Sequence, residues 1–379
     1  MKLKTDWILF LAILTMTSFG IVMVYSASSA AAEPFYKVPP YHFVLHQLGF
    51  AVLSFLIMMY FKRLDYRKLN TPAWAFTSLG IVLALLVAVY FADARAHRWF
   101  RIPGVGSLQP SEFAKPALVL FIAHFLSRRA QLINHRKTLQ QACLAVAVLA
   151  ALVVSADLGT AMVPVLTVII VFWIAGLEWK YMLRMAAVGL LLCVVAVFWK
   201  GYRLGRVIAY VDPDYSKIEL IDTHHWVRTY VQRSTTIRDA SYQPRQSKIA
   251  VGAGGVLGVG LMQSKQKLMF LPEAHTDFIY ATIGEELGLW GASAVLAGFV
   301  VLLWRGVRLF LLVRDDFGKY LALGVTVTIV LQALLNITVV LDMAPTKGFP
   351  LPMISFGGSS LVSTLASLGM LLSVSEHEG

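Results

Sequence analysis

The chain has 379 residues, 58% of them hydrophobic and only 14% charged, with a formal net charge of +12 and a mean hydropathy of +0.69. Soluble domains carry about 25% charged residues, so this chain has too little polar material for a water-facing shell, which excludes a soluble globular protein. The basic excess would suggest nucleic acid in a soluble protein; here it reflects basic loops facing an anionic leaflet, and no nucleic-acid partner is expected.

A hydrocarbon core about 30 Å thick takes about 20 apolar residues in a helix. Runs of suitable length lie near 7–25, 43–61, 73–91, 111–126, 138–154, 160–176, 182–199, 287–304, 320–341 and 351–374. The expected fold class is therefore an all-α polytopic membrane protein of about ten transmembrane helices, one domain over 1–379. The first run is long and lacks an A-x-A cleavage pattern, and is read as a retained span. Ten spans put both termini on one side. The short loops on that side hold sixteen lysines and arginines, whereas the opposite ones hold five: Lys37, Arg95, Arg98, Arg101 and Lys347. The asymmetry places both termini in the cytoplasm. The long 200–276 segment between spans seven and eight is left out of that comparison, because long loops translocate largely regardless of charge. It reads as an extracytoplasmic cap, about 200–286, with short interfacial helices. Cys143 and Cys193 lie in apolar runs and form no disulfide or metal framework, and no internal repeat of the kind common in transporters is visible.

The chemistry-capable residues fall on the outer ends of the spans. Charge in or beside a span costs about 2.5–3.5 kcal/mol per residue and points to function by default. Glu112 and Lys115 follow Pro110 in the first turn of a helix and stand three apart on one face, either as a structural anchor or as part of a site. Asp157 precedes Leu158-Gly159-Thr160, where it caps the next helix or serves chemistry. Pro352 followed by Gly357-Gly358-Ser359-Ser360 predicts either an irregular helix around a covered cavity or close helix packing through small residues. The richest stretch is 264–286, with Lys265 and Lys267, then Glu273, His275, Thr276 and Asp277, then Glu285 and Glu286. Glu273 reads as solvated. Asp277 leads into Phe278-Ile279-Tyr280-Ala281, so it is the carboxylate expected to be partly desolvated, which raises a carboxyl pKa and makes a better base. No second histidine stands at ligand spacing from His275 and Asp277.

These segments, above all Gln109–Lys115, Asp157–Ala161, Leu271–Gly288 and Pro345–Leu361, resemble the SEDS family (shape, elongation, division and sporulation), which includes FtsW and RodA. The pairing of LPEAHTDFIYATIGEELG with PTKGFPLPMISFGGSS is specific, whereas DLGTA alone is not. Ser264–Lys267, Ala274 and Thr346-Lys347-Gly348 look more like the division-associated FtsW branch. The chain departs from the family pattern at Ser155-Ala156, where Gln-Pro is common, and 212–242 looks longer than is usual for FtsW. The resemblance implies a peptidoglycan glycosyltransferase that polymerises lipid II at the outer face of the bacterial cytoplasmic membrane, usually with a class B penicillin-binding protein. It makes Asp277 the catalytic base. Glu112, Lys115, Asp157, His275 and Thr276 are expected to support the cavity. Arg98, Arg101, Lys265, Lys267, Lys347, Ser359 and Ser360 are the expected contacts to diphosphate or headgroup. No cofactor is specified; a divalent cation would share the diphosphate, and its ligands are not legible. A lipid II flippase using the same cavity, or a scaffold for the penicillin-binding protein, are the other readings. The inner ends show no matching polar cluster for a transport route.

Overall fold

The computed structural model describes residues 5–93, 97–102, 106–212, 216, 222, 226–232, 237–268 and 270–377. Among these, thirteen α-helices and one small hairpin form. The helices are α1 (Trp7–Tyr36), α2 (His42–Arg63), α3 (Pro72–Ala92), α4 (Pro110–Arg129), α5 (Arg136–Ala156), α6 (Leu158–Ile174) and α7 (Trp179–Trp199). Then come α8 (Gly201–Val211), α9 (Trp226–Gln232), α10 (Ile237–Gly254), α11 (Ile279–Leu312), α12 (Asp316–Val340) and α13 (Gly358–His377). Nine of the ten apolar runs lie largely within a helix, and the tenth only from Gly358 onward. Eight of these helices are long and apolar enough to cross a membrane. α6 is shorter, at 17 residues, and α4 carries Glu112, Lys115, Arg128 and Arg129. The cap segment contributes α8, α9 and α10; 213–215, 217–221, 223–225, 233–236 and Arg95 lie outside the described residues.

Local chemistry sets the helix ends. Asp6 caps α1 by accepting from the Leu9 N–H at 3.1 Å. Thr71 caps α3 ahead of Pro72, and Asp315 accepts from the Gly318 N–H at 2.9 Å at the start of α12. α11 is two helices joined at Gly288, whose φ of 62° belongs to the left-handed region that favours glycine. The first piece, Ile279–Glu286, is buried throughout. The break frees the carbonyls of Glu285 and Glu286, and the N–H groups of Val259 and Gly260 take them up at 3.0 and 2.9 Å. α12 sits at the centre against α4, α6 and α11, and α13 packs along α2. α7 lies at the periphery with no buried residue.

The tenth run needs correction. Residues 351–357 are not helical, and α13 starts only at Gly358. Pro350 and Pro352 withhold N–H donors, so the carbonyls here need side-chain partners. Gln332 donates to the Pro350 carbonyl at 2.8 Å and Asn336 to that of Phe349 at 2.5 Å. Gln47 donates to the Ser355 carbonyl and accepts from the Gly357 N–H, both at 3.2 Å.

Candidate active site

At the end of the bundle away from the termini, the ends of α2, α4 and α6 surround a cavity of about 360 Å³ together with the hairpin (Phe100–Ile102 paired with Gly106–Leu108), the 273–277 segment and the loop before α13. Its wall includes Arg98, Glu112, Asp157, Thr276, Asp277, Ser359 and Ser360, seven of the thirteen residues singled out from sequence.

Asp277 comes to this wall because its backbone is pinned. Asn336 of α12 donates one amide group both to the Asp277 carbonyl at 2.7 Å and to the Phe349 carbonyl, tying the two loops to one helix. The neighbouring Thr276 carbonyl accepts from Ser355 Oγ at 2.5 Å. Gly348 lies so close to the Asp277 carboxylate that any side chain there would collide with it. Among the described residues, no ion pair or hydrogen bond reaches that carboxylate. Burial therefore pushes the carboxyl up to about 7; Glu273 and Asp157 add repulsion, and Lys347 and Arg206 oppose it.

Asp157 is the contrast. It caps α6 by accepting from the Gly159 N–H at 2.9 Å, and it pairs with Arg98 at 3.2 Å and with Lys347. Burial acts to raise its carboxyl, but Lys347 and Arg98 with the hydrogen bonds from Lys347 and Thr160 outweigh it, and the group is held below the usual carboxylate range. Capping and site-building are thus the same contact: the carboxylate gathers two cations beside the cavity. The Lys347 stem lies on Gly159, where a side chain would displace it. Burial lowers the Lys347 ammonium, with Asp157 opposing.

Glu112 reaches the wall and accepts from Lys115 Nζ at 2.6 Å, while the same ammonium donates to Gln332 Oε1 at 2.6 Å. Lys115 thus stands behind the wall, linking α4 to the helix that clamps the loops. Ser359 accepts from the Gln109 N–H at 3.0 Å and donates to the Ser107 carbonyl at 3.2 Å, so it fastens the hairpin to α13. Thr276 donates to Glu273 Oε2 at 2.8 Å.

Of the six predicted residues that do not line the cavity, Lys115 and Lys347 pair with its wall residues Glu112 and Asp157, and the other four lie elsewhere. The His275 ring is buried among Tyr36, Phe43 and Phe356, with centroids 5.9, 4.7 and 5.6 Å away, and burial holds it below the usual histidine value. Lys267 turns inward to Glu286 at 2.6 Å, where both side chains are almost wholly enclosed. Lys265 has an exposed side chain and contributes its backbone N–H to Glu285 at 2.9 Å. Arg101 is exposed on the hairpin, because side chains alternate across a strand and Arg101 takes the outer face. Charge count in the sequence could not separate these positions from the wall.

Sequence reasoning missed His42, His46 and Phe50, which line the cavity from one face of α2 at the four-residue spacing of a helix, and it set aside Glu273, which also lines it. Gln332 and Asn336 were missed as well. Two amides four apart in an apolar run were a readable signal, since such groups in a span seek a partner. No three His, Cys, Asp or Glu side chains converge in a metal-binding arrangement among the described residues.

Known proteins share both the sequence and this architecture. A family model covering the FtsW, RodA and SpoVE proteins and described as a cell cycle protein matches residues 6–379. The chain is 36% identical over 382 residues to a probable peptidoglycan glycosyltransferase FtsW of Geobacter sulfurreducens, covering 98% of this chain and 95% of that one. It is 35% identical to the stage V sporulation protein E of Bacillus subtilis, covering 99% and 98%. Among solved structures, a chain from a study of polymerization and crosslinking by a peptidoglycan synthase complex superposes with a TM-score of 0.74 at 25% identity, covering 98% and 97%. The rod shape determining protein RodA of Thermus thermophilus superposes with a TM-score of 0.67 at 23% identity, covering 99% and 97%, a likeness of fold. With matches running end to end in sequence and in fold, the chain belongs to the FtsW/RodA/SpoVE family.

Proposed function

We propose that this integral membrane protein is a peptidoglycan glycosyltransferase that polymerises lipid II, working as one membrane domain over 1–379 with both termini in the cytoplasm and the cavity open to the outer face of the cytoplasmic membrane. The names of its relatives support the reaction class, and the lysine and arginine asymmetry supports the orientation. The observation that carries the reading is the Asp277 carboxylate on the cavity wall, raised to about 7, across from the cations that Asp157 gathers.

In this reaction the 4-hydroxyl of an acceptor N-acetylglucosamine attacks the anomeric carbon of a donor N-acetylmuramic acid. The new C–O bond forms as the bond to undecaprenyl pyrophosphate breaks, giving a β-1,4 link with inversion. Asp277 takes the hydroxyl proton, a role that suits a carboxylate whose pKa lies near the working pH. Negative charge grows on the departing diphosphate, and pre-placed cations stabilise such charge best in a site shielded from water. Arg98 and Lys347 are proposed for that task, with Glu112 and Ser360 shaping the wall. A class B penicillin-binding protein is the proposed partner.

The test is glycan synthesis from labelled lipid II by the full chain with a cognate class B penicillin-binding protein, with moenomycin present to silence classical glycosyltransferases. Wild-type protein is expected to give polymer on a gel, and Asp277→Ala to bind lipid II yet give none. Normal polymer from the variant would remove Asp277 from the chemistry. Transport of lipid II across vesicles with no polymer from the wild type would favour the flippase.

A further inference from the structure

At the opposite end of the bundle from the cavity, a second hollow of about 210 Å³ lies between the start of α1 and the far end of α11, lined by Asp6, Trp7, Ile8, Arg305, Arg308, Leu309 and Leu312 among others. Its two arginines differ. Arg305 is mostly buried and directs Nη2 and Nε to Asp6 Oδ2 at 2.6 and 2.7 Å, while its guanidinium lies 5.1 Å from the Trp304 ring centre. Arg308, one turn on, is exposed and forms no ion pair among the described residues. Asp6 is fully occupied, because it also caps α1 and its N–H donates to Ser375 Oγ at 3.1 Å. Among the described residues, one carboxylate thus faces two guanidinium groups, and the hollow carries a net positive charge.

The surroundings fix what can answer that charge. Trp7 and Trp304 are exposed on either side, and tryptophan marks the headgroup level of a membrane. Toward the membrane interior from them, the outward faces of α1 and α11 expose Leu11, Leu14, Val300 and Leu303, apolar tracks at the depth of acyl chains. Basic hollows between helix ends at this level recognise anionic lipid headgroups. We propose that the hollow binds one anionic diacyl phospholipid, its phosphate on Arg308 and the outer edge of Arg305, and its chains along α1 and α11. A zwitterionic lipid would bring its own cation beside Arg308 and lose that match. Membrane-facing binding requires no step of the sugar transfer proposed above, and the two readings stand or fall separately.

Native mass spectrometry of the full chain in neutral detergent, titrated with phosphatidylglycerol or phosphatidylcholine, tests the site. One phosphatidylglycerol is expected to bind more tightly than the rest, and Arg308→Gln to weaken that step about fivefold, as one arginine at the headgroup level implies. Arg63→Gln removes an exposed charge at the same end of the bundle on another helix and is expected to leave it unchanged. Asp6→Asn releases Arg305 from its competitor and is expected to tighten the step. Brominated phosphatidylglycerol should quench tryptophan emission, less so in Trp304→Phe. Equal binding of phosphatidylcholine, an unchanged step in Arg308→Gln, or displacement by millimolar glycerol phosphate would each overturn the proposal.

Discussion

The 264–286 stretch contributes to two clusters of charge that are built on opposite rules. In the cluster of Ser26, Lys267, Glu285 and Glu286, the groups answer one another. Glu286 accepts from Ser26 and from Lys267 at 2.6 Å, and Glu285 accepts from Ser264 Oγ at 2.5 Å and from the Lys265 N–H at 2.9 Å. That closed network holds the 264–267 loop to the broken helix α11. At the cavity, Asp157 takes two cations while Asp277 takes none. A buried charge with its partners present is a fastening, whereas a half-buried carboxylate without them is a candidate for proton exchange.

The contrast predicts opposite signatures on mutation. Asp277→Asn should cut glycan synthesis by at least about 100-fold, within the range for loss of a general base, with no fall in thermal stability; a parallel loss of stability would place Asp277 among the fastenings. The same variant probes linkage. Because the folded protein holds the Asp277 proton up to about 7, against about 3.9 in an unfolded chain, wild-type stability from this group is complete below about 4 and is lost as pH rises through 7. The variant does not titrate, so its stability relative to wild type should climb across that window. A flat difference would mean the carboxyl is not raised.

Lys267→Met should do the reverse, costing about 3–5 kcal/mol because Glu286 is left buried without its cation, with activity falling only as far as folded protein does. Adding Glu286→Gln should recover part of that stability, and thermal unfolding in detergent measures both. Gly348→Ala sits between the two clusters in character. The new methyl must push the Asp277 carboxylate aside, and a displacement of this kind is expected to cost about 10-fold or more in rate with lipid II binding kept. The smallest effect expected is on the pH profile. Activity should rise with pH through about 7 as Asp277 ionises, and Lys347→Met should move that midpoint upward, because Lys347 is one of the cations that lowers the Asp277 carboxyl. An unchanged midpoint would mean that Lys347 does not act on Asp277.

Much of this molecule is written in local pattern. Apolar runs the length of a bilayer gave helices throughout except over 351–357, since lipid leaves a backbone few other ways to satisfy its polar groups. Asp157 as a helix cap and Glu112 with Lys115 on one face follow from spacing of a few residues, and both pairings formed. Asp277 could be singled out because an apolar tetrapeptide follows it directly. What spacing could not convey is which way a side chain turns once distant segments meet. Lys267 and Lys347 look alike in sequence, yet one closes on Glu286 and the other on Asp157. His275 sits two residues from Asp277 but faces an aromatic cage, while His42 and His46, more than two hundred residues earlier, face the cavity. The helices, their caps and the polar ends could be read locally, because they depend on neighbours along the chain. Which charges are answered and which are left open came from the folded arrangement, because each buried ion takes its energy from partners that the fold brings in from elsewhere.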